Sequence, residues 1–205
     1  MTNNIIFTIG HSTHAIEYFT GLLEQNDIDV VADVRSTPYS RFTPQFNREN
    51  LRIRLRESGI SYVFMGEELG ARSDDPSCYR EGRVQYAALA HTKLFQTGMG
   101  RLGEGVAKDH RIALMCAEKD PLDCHRTILV ARMLNSMGYG VNHILENGQV
   151  ETHSEATDRL IKLHKLGNGD LFMCGDEVAE TAFRKQETRI AYSENTSPTE
   201  GVVEG

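Results

Sequence analysis

Apolar positions along this chain fall into two rhythms. Short, nearly continuous apolar runs appear at Ile5-Ile6-Phe7-Thr8-Ile9, Val30-Val31-Ala32-Asp33-Val34, Ser61-Tyr62-Val63-Phe64-Met65, Ile112-Ala113-Leu114-Met115 and Val141-Asn142-His143-Ile144-Leu145. Each is bounded by turn residues and reads as a buried strand. Between them the spacing becomes helical. Ile16, Phe19, Leu22 and Leu23 predict a helix ending near Asn26-Asp27, and a second runs from about Asn47 to Ser58, closed by Gly59. An irregular stretch through about Gly82 precedes a helical region from Val84 to Lys108, with interruptions expected at Gly98, Gly100, Gly103 and Gly105. Thr127 to Met137 is periodic again. Asn147-Gly148 is a hairpin signal that folds Val150 onward back on the preceding strand. Leu160, Leu163 and Leu166 mark one further helix and residues 177–192 another; residues 193–205 read as a mobile polar tail on a single 1–192 domain.

Strands alternating with helices predict an α/β fold, a mostly parallel sheet with helices on both faces. The chemically unusual residues follow the last apolar residues of strands: His11-Ser12, Asp33-Val34-Arg35, Gly66-Glu67-Glu68 and Cys116-Ala117-Glu118. In a parallel sheet those ends share one edge, where open α/β folds bind ligands, so four scattered loops are expected to converge on one cleft.

The densest chemistry lies in Met115-Cys116-Ala117-Glu118-Lys119-Asp120-Pro121-Leu122-Asp123-Cys124-His125-Arg126. This is strand, turn and helix start. Asp123 is a natural N-cap, which puts Cys124, His125 and Arg126 in the first helical turn, where free N–H groups and the helix dipole favour a phosphate or a thiolate. That setting lowers a thiol pKa and makes Cys124 a candidate nucleophile, or an inert first-turn residue beside the true ligand contacts. Cys116 reads as a small core residue at the strand end. Cys116, Cys124 and His125 as metal ligands is the weaker alternative, because the separation of the two cysteines does not match a structural zinc motif.

From Val34 to Arg56 there are six arginines and one acid, Glu49, a local balance of +5 in a chain whose net charge is −7. Arg48, Arg52 and Arg56 lie on one helix face and read as solvated; Arg35 and Arg41, in the loop carrying Tyr39, are the better phosphate contacts, with an Arg35 salt bridge to Asp33 or Glu118 as the competitor. His11 is either a general base or a helix-capping turn histidine. The acidic balance argues against general binding to duplex DNA. Hydrophobic content of 40% and charged content of 25% are those of an ordinary globular chain. No apolar run is long enough to span a membrane, Met1-Thr2-Asn3-Asn4 does not open a signal peptide, and four sparse cysteines point to reduced thiols in a cytoplasmic protein.

Thr8-Ile9-Gly10-His11-Ser12, Asp33-Val34-Arg35-Ser36-Thr37-Pro38-Tyr39-Ser40-Arg41-Phe42, Leu69-Gly70 and Cys116-Ala117-Glu118 with Cys124-His125-Arg126 together resemble the family known as domain of unknown function 488. The pattern through Arg189-Ile190-Ala191-Tyr192 is similar as well. The resemblance implies a Rossmann-like fold and a role on nucleotides or nucleic acid. Together with the residues, it sets the leading expectation: a hydrolase or group transferase acting on a phosphate-bearing substrate, most simply a nucleotide or nucleic-acid end. Arg35, Arg41 and Arg126, with Ser12 and Tyr39, would hold the phosphate; His11, Glu118 or His125 would move protons. No cofactor is called for, and the chain lacks the Gly-x-Gly-x-x-Gly dinucleotide fingerprint. A non-catalytic anion sensor and a thiol redox switch through Cys116 and Cys124 are the alternatives.

Overall fold

The protein is described by a computed structural model covering residues 4–166 and 175–194. Six strands form one mixed sheet in the order β3-β2-β6-β1-β7-β8, where β1 is Ile5–Gly10, β2 Val30–Asp33, β3 Ser61–Phe64, β6 Ile112–Cys116, β7 Gly140–Ile144 and β8 Val150–Thr152. All pair parallel except β8, which returns antiparallel on β7 after Asn147-Gly148. The fold is α/β and Rossmann-like. β1 lies at the centre, between β6 and β7, so its carboxyl end meets loops arriving from both sides.

Strand alternation divides the core in two. Phe7, Ile9, Val31, Ala113 and Met115 face α1 (Ile16–Gln25) and α2 (Arg48–Glu57), packing on Phe19, Leu22, Leu23, Leu51 and Leu55. Their sequence neighbours Ile6, Val30, Ala32, Ile112, Leu114 and Cys116 face the opposite layer. That layer is built by α5 (Lys93–Ala107), α6 (Arg132–Ser136), α7 (His153–Leu163) and α8 (Gly175–Ile190). The period-two side-chain pattern of a strand buried on both faces accounts for the nearly continuous apolar runs. Both thiols of the central motif belong to this second layer.

The expected break-up of the 84–108 region is corrected. A short hairpin, β4 (Tyr79–Arg80) with β5 (Arg83–Val84), is followed by α4 (Tyr86–Ala90), and the one interruption falls at His91-Thr92. Thr92 caps α5 by accepting from Phe95 N at 3.2 Å, and α5 then runs unbroken through all four glycines. Two of them exist for close packing. A Cβ on Gly98 would meet Glu68 and Leu69 carbons at 2.7 and 2.8 Å, and one on Gly105 would meet Ile112 Cδ1 at 2.7 Å. Helix packing at near backbone contact outweighs the loss of about 1 kcal/mol that glycine brings to a helix interior.

α3 (Gly66–Leu69) turns directly off the end of β3. Of the segment read as a polar tail, Ser193 is buried and bridges Arg83, and Glu194 N donates to Gly82 O at 2.9 Å; residues 195–205 lie outside the described residues. Among the described residues no helix is long and apolar enough to cross a membrane.

Candidate functional site

The helix that leaves β6 starts one residue differently from the expectation, and the difference arranges the site. Asp120, not Asp123, caps a 3-10 turn at Pro121–Asp123, accepting from Leu122 N at 2.8 Å. Cys124 is then extended (φ −134°, ψ 141°), and its carbonyl accepts from Thr127 N and Ile128 N. Cys124 is therefore itself the N-cap. Its Sγ takes the place of a serine or aspartate oxygen, accepting the Arg126 N–H at 3.4 Å. The helix opens as a π-turn over Arg126–Ala131, all six residues buried, a distortion common beside functional sites.

Three buried polar atoms converge there. His125 Nδ1 lies 3.7 Å from Cys124 Sγ and 3.8 Å from Cys116 Sγ, and all three atoms are within 4.8 Å of one another. His125 Nε2 is 3.1 Å from the Val34 carbonyl oxygen, which can only accept, so the proton sits on Nε2. Glu118, on the exposed side, turns its carboxylate inward to accept from Cys116 Sγ at 3.1 Å. Burial pushes the Cys124 thiol up, but the neighbouring Cys116 thiol and the charges of Arg126 and His125 prevail and hold it well below the ordinary thiol range. The adjoining Cys124 sulfur and its own burial raise Cys116 well above it. Burial raises Glu118, helped by the facing Cys124. Desolvation would lower His125, but the neighbouring Cys124 and Glu118 charges raise it.

Around this centre the predicted anion contacts divide sharply. Arg35 is buried and grips Asp33 in a two-point salt bridge, Nε to Oδ1 at 2.9 Å and an Nη to Oδ2 at 2.7 Å. The same guanidinium donates to Phe46 O at 2.8 Å and to His11 Nε2 at 3.1 Å. Of the alternatives for Arg35, the structure has the salt bridge to Asp33. His11 Nδ1 donates to Ser12 O at 2.8 Å, and the ring stacks on Phe46 at 4.3 Å. Burial together with the Arg35 charge lowers its pKa to about 4. With its Nε2 lone pair engaged by Arg35, His11 holds the β1 loop rather than facing an open cleft.

Arg126 is fully buried, and its fork donates to Glu118 O at 2.8 Å and Lys119 O at 3.3 Å. It shapes the loop above the thiols through its two Nη groups, while its buried Nε has no hydrogen-bond partner among the described residues. Gly10 makes room for this clamp, since a Cβ there would lie 1.9 Å from Glu118 O. Ser12, at φ 47°, is tied by its N–H to Ala117 O at 2.9 Å. Arg41 and Tyr39 sit on the exposed loop after β2, and Arg41 forms no ion pair among the described residues. Glu68 pairs with Arg101, while Glu67 stands exposed in a neighbouring cleft of about 650 Å³ beside Ser36, Thr37 and Arg72.

Sequence reading passed over Tyr62, whose hydroxyl donates to Asp33 Oδ2 at 2.7 Å, because half-buried strand tyrosines carry no local signal. It also favoured a core role for Cys116 over the metal-ligand and redox-switch alternatives. Its strand-end position was the available clue, since Cys116 is the last residue of β6.

The family model described as Domain of unknown function DUF488 matches residues 15–133. That span takes in Arg35, Cys116, Glu118, Cys124, His125 and Arg126 but not His11. No curated protein and no solved structure matches the chain.

Proposed function

The chain belongs to the family Domain of unknown function DUF488, and from the geometry of its carboxyl edge we propose that it is a hydrolase or group transferase acting on a phosphate-bearing substrate such as a nucleotide. The observation that carries this reading is the meeting of Cys116, Cys124 and His125 where β1, β2 and β6 end, under a solvent-facing Glu118. Two thiols and an imidazole lone pair gathered around one point at the carboxyl edge of the sheet supply candidates for nucleophile and proton carrier together. In this reading the cluster is the reacting centre, and Glu118, at its mouth, exchanges protons with the substrate or water.

Anion recognition is assigned to the loop after β2. Arg41 is exposed and unpaired among the described residues, with Tyr39 two residues before it. This replaces Arg35, whose guanidinium is engaged by Asp33, His11 and Phe46 O, and Arg126, which is fully buried with both Nη groups on loop carbonyls. The three described cysteines are all free thiols, in keeping with a reducing, cytoplasmic setting.

The test is calorimetric titration of nucleotides and sugar phosphates into wild type, Arg41→Ala and Glu118→Gln, with product followed by chromatography. The reading expects binding weakened in Arg41→Ala and product formation lost in Glu118→Gln. Binding with no product in the wild type would instead make the chain an anion sensor. No binding to any phosphate compound would end the substrate assignment.

A further inference from the structure

We infer that Cys116, Cys124 and His125 form a binding site for a thiophilic divalent cation of zinc's class. Sulfur and imidazole nitrogen are the donors such ions prefer, and the site offers both in the spacing a single ion requires. With metal–sulfur bonds of about 2.3 Å and metal–nitrogen bonds of about 2.0 Å, a tetrahedral centre sets its sulfur–nitrogen edges at about 3.5 Å. The observed edges are 3.7 and 3.8 Å. They are long for hydrogen bonds but close to the edge of a shared coordination shell.

The surrounding bonds point the same way. A metal-bound histidine usually donates its other ring N–H to a carbonyl or carboxylate. His125 does so, its Nε2 facing Val34 O, which leaves the Nδ1 lone pair aimed between the sulfurs. A ligating thiolate is steadied by a backbone N–H, and Cys124 Sγ receives that of Arg126. The linear spacing that argued against zinc is overcome by the backbone. Cys124 is extended while His125 is helical (φ −58°, ψ −27°), and the change of direction between them lets adjacent side chains reach one point. Glu118, an exposed residue, brings its carboxylate to 3.1 Å from Cys116 Sγ. Three protein ligands, with the fourth position left to water or substrate, is the pattern of a reactive rather than a structural zinc site.

This inference deepens the proposed function by naming what the reacting centre holds, and the two can fail separately. The full-length reduced chain, stripped by a chelator, is titrated with Co²⁺ and then Zn²⁺ while absorption is recorded. One equivalent of Co²⁺ should produce a thiolate charge-transfer band and the strong visible absorption of tetrahedral cobalt, both displaced by Zn²⁺. Cys116→Ser, Cys124→Ser and His125→Ala should each weaken binding by on the order of 100-fold or more, beyond the range for losing an outer-shell partner. Because a core variant can misfold, alkylation of the wild type is mapped in parallel. Zn²⁺ should protect Cys116 and Cys124 from the reagent.

Reduced wild type that gives no cobalt spectrum overturns the site. So does a spectrum, or protection by Zn²⁺, that survives in folded Cys124→Ser and His125→Ala proteins, the mark of an adventitious metal. Closure of a Cys116–Cys124 disulfide in air with no metal affinity after reduction would make the pair a redox switch instead. Metal binding without turnover upholds the site and removes the enzyme reading. Turnover without metal binding does the reverse.

Discussion

Asp33 and Arg35, both buried, face each other through two parallel N–H···O bonds of 2.9 and 2.7 Å. The pair occupies the point where β2 leaves the sheet, and it is extended on both sides. Tyr62 donates to the carboxylate, and the guanidinium reaches His11 and Phe46 O. Removing one charge leaves the other without a partner in the interior. Asp33→Asn should therefore destabilise the fold by about 3–5 kcal/mol, the range for breaking a buried pair from one side. Tyr62→Phe, which removes one of several bonds to the carboxylate, should lose about 1 kcal/mol. Urea denaturation of the variants checks both. An Asp33→Asn variant within experimental error of wild type would mean that Arg35 finds other partners.

Gly10 and Gly100 separate two uses of glycine. A methyl group at Gly10 would collide with the main-chain Glu118 O, which the Arg126 fork holds in place, whereas one at Gly100 meets nothing within 4 Å. Gly10→Ala should lower stability by about 1–3 kcal/mol through overpacking and should also disturb the loop carrying Glu118. Gly100→Ala, in a helix, should raise stability by about 0.8–1 kcal/mol. Thermal melts of the two variants should move in opposite directions.

Much of the fold is legible in the sequence because each central strand is buried on both faces and flanked by turn residues. The Asn147-Gly148 turn signals the β7–β8 hairpin, and the helical spacing of Phe19, Leu22 and Leu23 gives α1. α5 was misread because helix propensity is local while the need for glycine at Gly98 and Gly105 comes from Leu69 and Ile112, distant in sequence. The site was legible as a set of residues and not as a set of roles. Arg35 and Arg126 carry the chemistry of phosphate contacts, yet their partners Asp33, Glu118 O and Lys119 O become apparent only in three dimensions. Cys124 was placed correctly at a helix start, but a cysteine is an unusual N-cap, and Asp123 offered the more ordinary choice.

Arg126 tests the distinction between binding and positioning. Its two donors reach two successive carbonyls, a grip that the single ammonium of lysine cannot reproduce. Arg126→Lys should keep the charge but release the loop at 117–120. Hydrogen exchange at those amides should accelerate by about tenfold or more if the clamp contributes on the order of 1.4 kcal/mol. A direct phosphate contact would predict otherwise: unchanged exchange, with weakened affinity for a phosphate-bearing ligand.

Acid should destabilise this protein through its buried histidines. His153 lies among Phe183 and His143, with His143 Nε2 3.2 Å from His153 Nδ1 and His143 Nδ1 2.8 Å from Thr8 Oγ1. Burial, with Arg132 nearby, lowers His153 from 6.5 to about 4, and His11 is lowered to about 4 as well. Burial and the His153 charge hold His143 well below its ordinary value too. The sign follows from which state binds the proton. Between pH 6.5 and 4 the unfolded chain takes up protons that the folded chain refuses, so stability rises with pH across that window. The contribution is complete above pH 6.5, is lost as pH falls toward 4, and stops changing below it. Each of His11 and His153 should contribute about 3 kcal/mol to the difference. Urea midpoints measured from pH 7 to pH 4.5 should fall steeply for the wild type. In His153→Gln the slope should be shallower, since its group no longer titrates, whatever the variant's stability at pH 7. Equal slopes for the two proteins would show that His153 is protonated in the fold at little cost and that the 143–153 pair is not the acid-sensitive element.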